Sequence, residues 1–310
     1  MDASQITTFF SHIRHELSNV PNEIRRLFHG RGRVYSGLEQ LTCDWVDNQL
    51  LINIFKPVDN PFIEELKNGL HSLSQTELWR DKGVTCAAIQ YRYLDGSPLE
   101  IVVGELNDRP IVVESGINYQ LNIGRNQNFG LFLDMRLGRD WVKSNSENKT
   151  VLNLFAYTCG FSVAAIEGGA KQVVNVDMAR ASLTKGRDNH RLNGHNLDQV
   201  KFLAYDIFKS WGKIKKLGPY DLVIIDPPSF QKGSFALSKD YIKIIRRLPE
   251  LLADKGQVLA CVNSPQVSGQ FLIESMQEAA PQLTYTCRLE NPTEFADIDT
   301  DAALKVMLFE

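Results

Sequence analysis

At 310 residues, with 43% hydrophobic and 23% charged content, the chain has the make-up of a globular protein able to bury one large core or two smaller ones. Its net charge of −3 provides no chain-wide basic footprint, so any nucleic-acid contact must come from a local patch. The five cysteines are scattered without a CxxC pair, the amino terminus is too polar for a signal peptide, and no apolar run approaches the ~18 residues needed to span a bilayer. These features exclude a zinc or disulfide framework and a membrane span, and they imply a cytoplasmic protein with no metal.

In chain order, Ile6 to Leu17 carries Phe9, Phe10, Ile13 and Leu17 at helical spacing, which predicts an amphipathic helix. The stretch NEIRRLFHGRGR then sets Arg25, Arg26, Arg31 and Arg33 against a single Glu23, with Gly30 and Gly32 expected to keep the backbone mobile. It reads either as a phosphate-contacting element, with Arg25, Arg31 and Arg33 on the substrate, or as a solvated loop. Apolar runs at Leu50–Phe55, Cys86–Tyr93, Leu99–Val103 and Pro110–Val113, separated by turn signals, predict a small sheet with a helix near Phe62–Leu73. Asp95-Gly96 marks a hairpin. The expected organisation is an amino-terminal α+β accessory domain over 1–120 and an α/β domain over 121–310. The second opens with an amphipathic helix running to about Ser144, whose entry places Asp134 and Arg136 either in an exposed ion pair or at the edge of a ligand crevice.

From Val151 to Phe230, short β-branched runs alternate with helical patterns, which predicts consecutive βαβ units in a parallel sheet buried on both faces. Asp177, Asp206 and Asp226 fall at the carboxyl ends of successive strands, where such sheets bind ligands. The turn Asn153–Gly160 has one glycine, so it matches neither GxGxxG nor a P-loop. A ligand without phosphates, of which S-adenosylmethionine is the common one, tolerates that turn. At the second strand end Asp177 can accept both hydroxyls of a ribose, and at the third Asp206 can accept from an adenine amino group. Either could equally cap a helix. In Asp226-Pro227-Pro228-Ser229-Phe230 the two prolines remove N–H groups and present carbonyls outward, a geometry that orients the edge of a base.

The segments LFLDMR (Leu131–Arg136), NLFAYTCGFSV (Asn153–Val163), GGA (Gly168–Ala170), VDMAR (Val176–Arg180), NHRLNG (Asn189–Gly194), DPPSF and EFAD (Glu294–Asp297) resemble those of class I S-adenosylmethionine-dependent methyltransferases. Within that class they are most similar to the K/L and I types acting on large-subunit ribosomal RNA. The resemblance covers most of 121–310 and implies a Rossmann-like seven-stranded α/β domain whose last strand, near Ala302–Phe309, is antiparallel. It implies cofactor contacts from Asn153, Phe155, Ala156, Tyr157, Thr158, Gly160, Asp177, Met178, Asp206, Ile207 and Asp226. Asp226, Pro227 and Asn263 would serve catalysis, and Asp134, Arg136, Pro228 and Phe230 the substrate. The I type carries a nucleophilic cysteine where this chain has Asn263; Cys261 lies two residues earlier, within the apolar run, and reads as a buried small hydrophobe. The K type carries Ser-Asn-Asn there, which Val262-Asn263-Ser264 resembles better. The expected function is methylation of a guanine in ribosomal RNA; at N7, the atom the K type methylates, the lone pair already lies in the ring plane, so transfer needs positioning and no covalent intermediate. The alternatives are a cytosine-C5 enzyme using Cys261, or a cofactor-binding protein with a protein or small-molecule acceptor.

Overall fold

A computed structural model describes residues 3–125, 127–228, 230–231 and 235–310. The chain forms two compact units, one comprising Met1–Leu133 with Pro292–Ile298 and the other Asp134–Asn291 with Asp299–Glu310. The expected boundary at 120/121 therefore falls too early, and EFAD belongs to the first unit rather than to the second. The physical reason is that the coil after residue 120 is bonded backward. Leu121 and Ile123 donate their N–H groups to Pro110 and Asp108 at 2.9 Å each.

The first unit contains α1 (Ile6–Ser18), β1 (Arg25–His29), β2 (Leu41–Val46), β3 (Gln49–Ile54), α2 (Asn60–Ser74), α3 (Glu77–Asp81), β4 (Cys86–Tyr91), β5 (Leu99–Gly104), and a hairpin of β6 (Ile111–Glu114) with β7 (Ile117–Gln120). Strands β1 to β5 make one sheet in chain order, antiparallel except for the parallel β3–β4 pair. Its core gathers Phe9, Phe10 and Ile13 of α1 with Phe28, Leu50, Ile52, Leu66 and Leu70. Burying each such side chain contributes about 1.5–3 kcal/mol. The arginine-rich stretch forms strand β1 and the turn after it, so the solvated-loop expectation is replaced by sheet structure. Gly30 and Gly32 are buried, not mobile: a Cβ there would lie 1.9 Å from the Leu38 carbonyl oxygen and 1.8 Å from that of Ala296. Strand β2 escapes the sequence pattern because Thr42 and Asp44 interrupt its apolar run, yet both are buried. Arg26 and Asn53 donate to the Asp44 carboxylate.

The second unit contains α4 (Arg136–Ser144), β8 (Thr150–Leu154), α5 (Gly160–Glu167), β9 (Gln172–Val176), α6 (Arg180–Leu192), β10 (Val200–Leu203), α7 (Trp211–Lys216), β11 (Tyr220–Ile225), the two-residue strands β12 (Phe230–Gln231) and β13 (Phe235–Ala236), α8 (Leu237–Ile245), α9 (Leu248–Leu251), β14 (Leu252–Val262), α10 (Gly269–Ala279), β15 (Tyr285–Leu289) and β16 (Lys305–Phe309). Its seven-stranded sheet runs β10-β9-β8-β11-β14-β16-β15. The pairs from β10 to β14 are parallel, and β16 is antiparallel to both neighbours, as expected for the last strand. Period-two alternation splits the strands between two cores. Leu152, Leu154, Val223, Ile225, Val258 and Ala260 face α8, α9 and α10, whereas Val151, Leu222, Ile224 and Leu259 face α4 and α5. Both faces are covered, so the strands read as unbroken apolar runs.

One polar chain crosses the α5 side of this sheet. The Asn153 amide donates to Asn175 Oδ1 (2.9 Å) and the Asn175 amide to Ser162 Oγ (2.8 Å). Ser162 Oγ lies 2.8 Å from His190 Nε2, His190 Nδ1 lies 2.9 Å from His195 Nδ1, and His195 Nε2 lies 3.1 Å from Glu167 Oε2. With the Glu167 carboxylate accepting at the far end, one proton assignment satisfies every link: His195 donates from Nε2, His190 from Nδ1, and the Ser162 hydroxyl donates to His190 Nε2. Burial, then the neighbouring His195, lowers the His190 pKa from 6.5 to about 3. The folded state thus excludes a proton that the unfolded chain accepts. The stabilising effect of this neutral histidine is complete above pH 6.5 and is lost as the pH falls toward 3. Chemical denaturation at pH 7 and pH 5 should show a loss of about 2 kcal/mol from this group. The nontitrating variant His190→Gln should lack that increment, and an equal acid dependence in the variant would contradict it.

Candidate active site

The register aligns the strand ends that carry the predicted residues. Leu154 of β8 pairs with Val176 of β9 and Ile225 of β11, Val176 pairs with Leu203 of β10, and Ile225 pairs with Ala260 of β14. Phe155, Asp177 and Asp226 consequently begin one row along the carboxyl rim. From β8 the chain builds outward through β9 and β10, then returns to place β11 and β14 on the other side. The gap between β8 and β11 is the topological switch point, where open α/β sheets bind ligands.

The loop leaving β8 is strained. Phe155, Tyr157 and Cys159 have φ of 57°, 46° and 63°, left-handed values at non-glycine residues that cost on the order of 1–3 kcal/mol each. Its surroundings hold it in place. The Ala156 N–H donates to the Val176 carbonyl (3.1 Å), the Tyr157 N–H to Asp177 Oδ2 (2.8 Å) and the Asn189 amide of α6 to the Thr158 carbonyl (3.2 Å). Cys159 is buried against Gly186, where an added Cβ would lie 2.2 Å from its sulfur. Gly160 starts α5.

Asp177 receives one backbone N–H on each oxygen, from Tyr157 on Oδ2 and from Ala179 on Oδ1 (2.7 Å). A carboxylate offers about four acceptor positions, so each oxygen keeps one for a pair of vicinal hydroxyls. Met178 beside it is 52% exposed, an apolar wall at the rim. Asp206 caps a short turn by accepting from the Phe208 N–H (2.9 Å), and Lys209 Nζ lies 3.6 Å from its other oxygen. The cap reading therefore holds at Asp206 alone: α6 has Ala179 at its N-cap with no side-chain cap, and Asp177 instead holds the loop after β8. Two expected cofactor residues point elsewhere: the Asn153 side chain is committed to the buried polar chain, and Ile207 is packed in the core.

Asp226 and Pro227 leave β11 largely enclosed, while Pro228 is exposed. Burial, reinforced by the Asp134 carboxylate, pushes the Asp226 pKa up from 3.8 to about 7, against the opposing Arg139 guanidinium. Asn263, just past β14, donates its amide to Asp134 Oδ2 (3.3 Å). Arg136 opens α4 directly after the turn carrying Asp134. Two residues that sequence reasoning missed lock this end of the site. The fully buried Tyr241 hydroxyl lies 3.3 Å from the Ile225 carbonyl oxygen and 3.2 Å from that of Cys261, tying together the strand ends that carry Asp226 and Asn263. The Lys305 ammonium, on a buried side chain, donates to the carbonyls of Ser264 and Asp301 at 2.7 Å each. Asn189 is the third omission, and its signal was present in NHRLNG, a motif legible as a whole without a role for that residue.

Cys261 is fully buried among Leu222, Ile224 and Leu259, and burial, with Asp226 and Asp134 nearby, pushes its thiol well above the usual range. Such a thiol is a poor nucleophile. Of the arginines expected on the substrate, Arg25 is held by Glu23 and Glu294 at 3.3 Å each and Arg33 by Asp297 at 2.8 Å, all within the first unit. Arg31 lies over the ring of Phe55. Ser229 lies outside the described residues, as does the side chain of Phe230. Because the Asp134 charge contributes to the raised Asp226 pKa, Asp134→Asn should move the Asp226 titration downward from about 7. Carboxyl-carbon NMR of wild type and variant checks this, and an unmoved midpoint would show that burial alone sets the value.

Residues 25–310 match the family model described as S-adenosylmethionine-dependent methyltransferase. The chain is 32% identical over 247 residues to a Bacillus subtilis protein provisionally named a ribosomal RNA large subunit methyltransferase, covering 77% of this chain and 60% of that one. It is 37% identical over 185 residues to ribosomal RNA large subunit methyltransferase K/L of Shewanella loihica (58% of this chain, 24% of that one). To methyltransferase I of Aeromonas salmonicida it is 30% identical over 207 residues (66% and 47%). The chain thus spans only part of the length of these relatives. A solved structure complexed with SAH superposes over all of this chain and 82% of its own at a TM-score of 0.86 and 24% identity, which shows a shared fold. The cofactor's sulfonium supplies an activated methyl group, and a rim with spare acceptors on Asp177 and a loop without pyrophosphate-cradling glycines suits its phosphate-free nucleoside. The chain belongs to the S-adenosylmethionine-dependent methyltransferase family.

Proposed function

We propose that this chain methylates a guanine of large-subunit ribosomal RNA in the cytoplasm. In this reading Asp177 takes the ribose hydroxyls, Met178 and Asp206 flank the adenine, and the Phe155–Thr158 backbone walls the cofactor. Asp226, the Pro227 carbonyl and Asn263 hold the target base, with Asp134 and Arg136 at the crevice edge. The observation that carries it is that two hydrogen-bonding groups follow neighbouring strand ends, Asp226 after β11 and Asn263 after β14, the latter donating to Asp134, while Cys261 is buried behind them. Cytosine-C5 transfer requires a thiolate to add to the ring, whereas guanine N7 already presents an in-plane lone pair and needs only alignment. The ribosomal names of the K/L and I relatives support an RNA substrate, and five free cysteines agree with a reducing compartment.

Two measurements test this. Calorimetry should show SAH binding weakened at least tenfold by Asp177→Asn, because the variant loses charge-assisted acceptors and opposes an NH₂ to a backbone N–H. Nucleoside mass spectrometry of ribosomal RNA from a strain lacking the gene should reveal one missing methylguanosine, restored by the wild-type gene but not by Asp226→Ala. Loss of 5-methylcytidine, or abolition of activity by Cys261→Ala, would instead establish the cytosine reading. Transfer of labelled methyl to protein or small molecules alone would remove RNA altogether.

A further inference from the structure

The first unit holds a cluster that the methyl-transfer site does not use. Phe55 and Arg92 follow the ends of the parallel strands β3 and β4, where Ile54 and Tyr91 pair and the Arg92 N–H donates to the Ile54 carbonyl (2.8 Å), so the two side chains leave the sheet side by side. Arg31 reaches the same ring from the turn after β1, and the buried glycines on either side of it fix its backbone. The guanidinium carbons of Arg31 and Arg92 lie 4.4 and 5.1 Å from the Phe55 ring centroid. Arg92 Nε is buried with no hydrogen-bond partner among the described residues, while its Nη2 donates to Asn128 (3.0 Å). Burial, then the nearby Arg31 charge, holds the Arg92 guanidinium below its usual range. The two cations repel each other across one partly exposed ring; the Asp44 carboxylate offsets part of the charge on Arg92, and the phosphates of a bound polyanion would offset more.

We propose that Phe55, with Arg31 and Arg92 over its ring, is a docking platform for an unpaired nucleotide of single-stranded RNA. The base stacks on the guanidinium–phenyl assembly, and the arginines take the flanking phosphates. An acidic protein segment would pair with the arginines but brings no base to stack on their guanidinium planes. The inference rests on the RNA reading above, deepens it, and gives the first unit a binding role of its own.

The test is fluorescence anisotropy of the full chain with a short labelled single-stranded RNA across a salt series, with duplex RNA and polyglutamate as competitors. Phe55→Leu should weaken single-strand binding roughly five- to a hundredfold. Arg31→Gln and Arg92→Gln should each reduce the slope of log affinity against log salt by about 0.7. Phe55→Tyr should bind as wild type, and SAH affinity should stay constant throughout, which reports an intact second unit. Wild-type affinity and slope in all three disruptive variants would overturn the platform, as would equal competition by duplex RNA or displacement by polyglutamate alone. Methyl transfer to RNA, followed in the same samples, separates the two claims: label reaching RNA with the platform variants unchanged refutes only the platform, and no label reaching RNA with wild type refutes the RNA reading.

Discussion

The parallel register between β8 and β11 is the constraint on which the rest depends. By pairing Leu154 with Ile225 it brings the loop that begins at Phe155 level with the Asp226-Pro227 turn. The β8–β9 pairing sets Asp177 on the same row. A slip of one residue in this pairing would turn the core-facing side chains of β11 to its other face and move Asp226 off the row, so the apolar pattern that builds the sheet also places the chemistry.

That rim is maintained against local cost. Three left-handed non-glycine residues in five positions, and a buried carboxyl with its pKa raised to about 7 beside another carboxylate, are both unfavourable in isolation. The compensation comes from behind the rim. Asp177 and Asn189 hold the loop, Tyr241 and Lys305 hold the strand ends, and the polar chain from Asn153 to Glu167 pins α5 and α6 to β8 and β9. Apart from Asp177, which is also proposed to meet the ribose, these groups act on the backbone that lines the site, which is what alignment-based transfer requires.

Much of this was legible in the residues. The alternation of apolar runs with helical patterns announced the parallel sheet, and Asp177 and Asp226 do follow strand ends directly, whereas Asp206 lies three residues past β10. What escaped was set by partners distant in sequence. Asn153 sits at a strand end like a cofactor residue, yet its face of β8 meets Asn175 and Ser162. Arg25 and Arg33 look like a phosphate grip, yet they pair with Glu294 and Asp297, which return from the far end of the chain. That same return puts Pro292–Ile298 in the first unit. Strand β2 was hidden by Asp44, whose burial is tolerable only because Arg26 neutralises it.

The most direct test of the central claim, that the β8–β11 switch point is the methyl-transfer site, is a crystal structure of the chain with S-adenosylhomocysteine bound. The ribose hydroxyls should lie within hydrogen-bond distance of both Asp177 oxygens, with the sulfur directed toward the Asp226-Pro227 turn. A nucleoside bound elsewhere, or a sulfur directed away from that turn, would contradict the account.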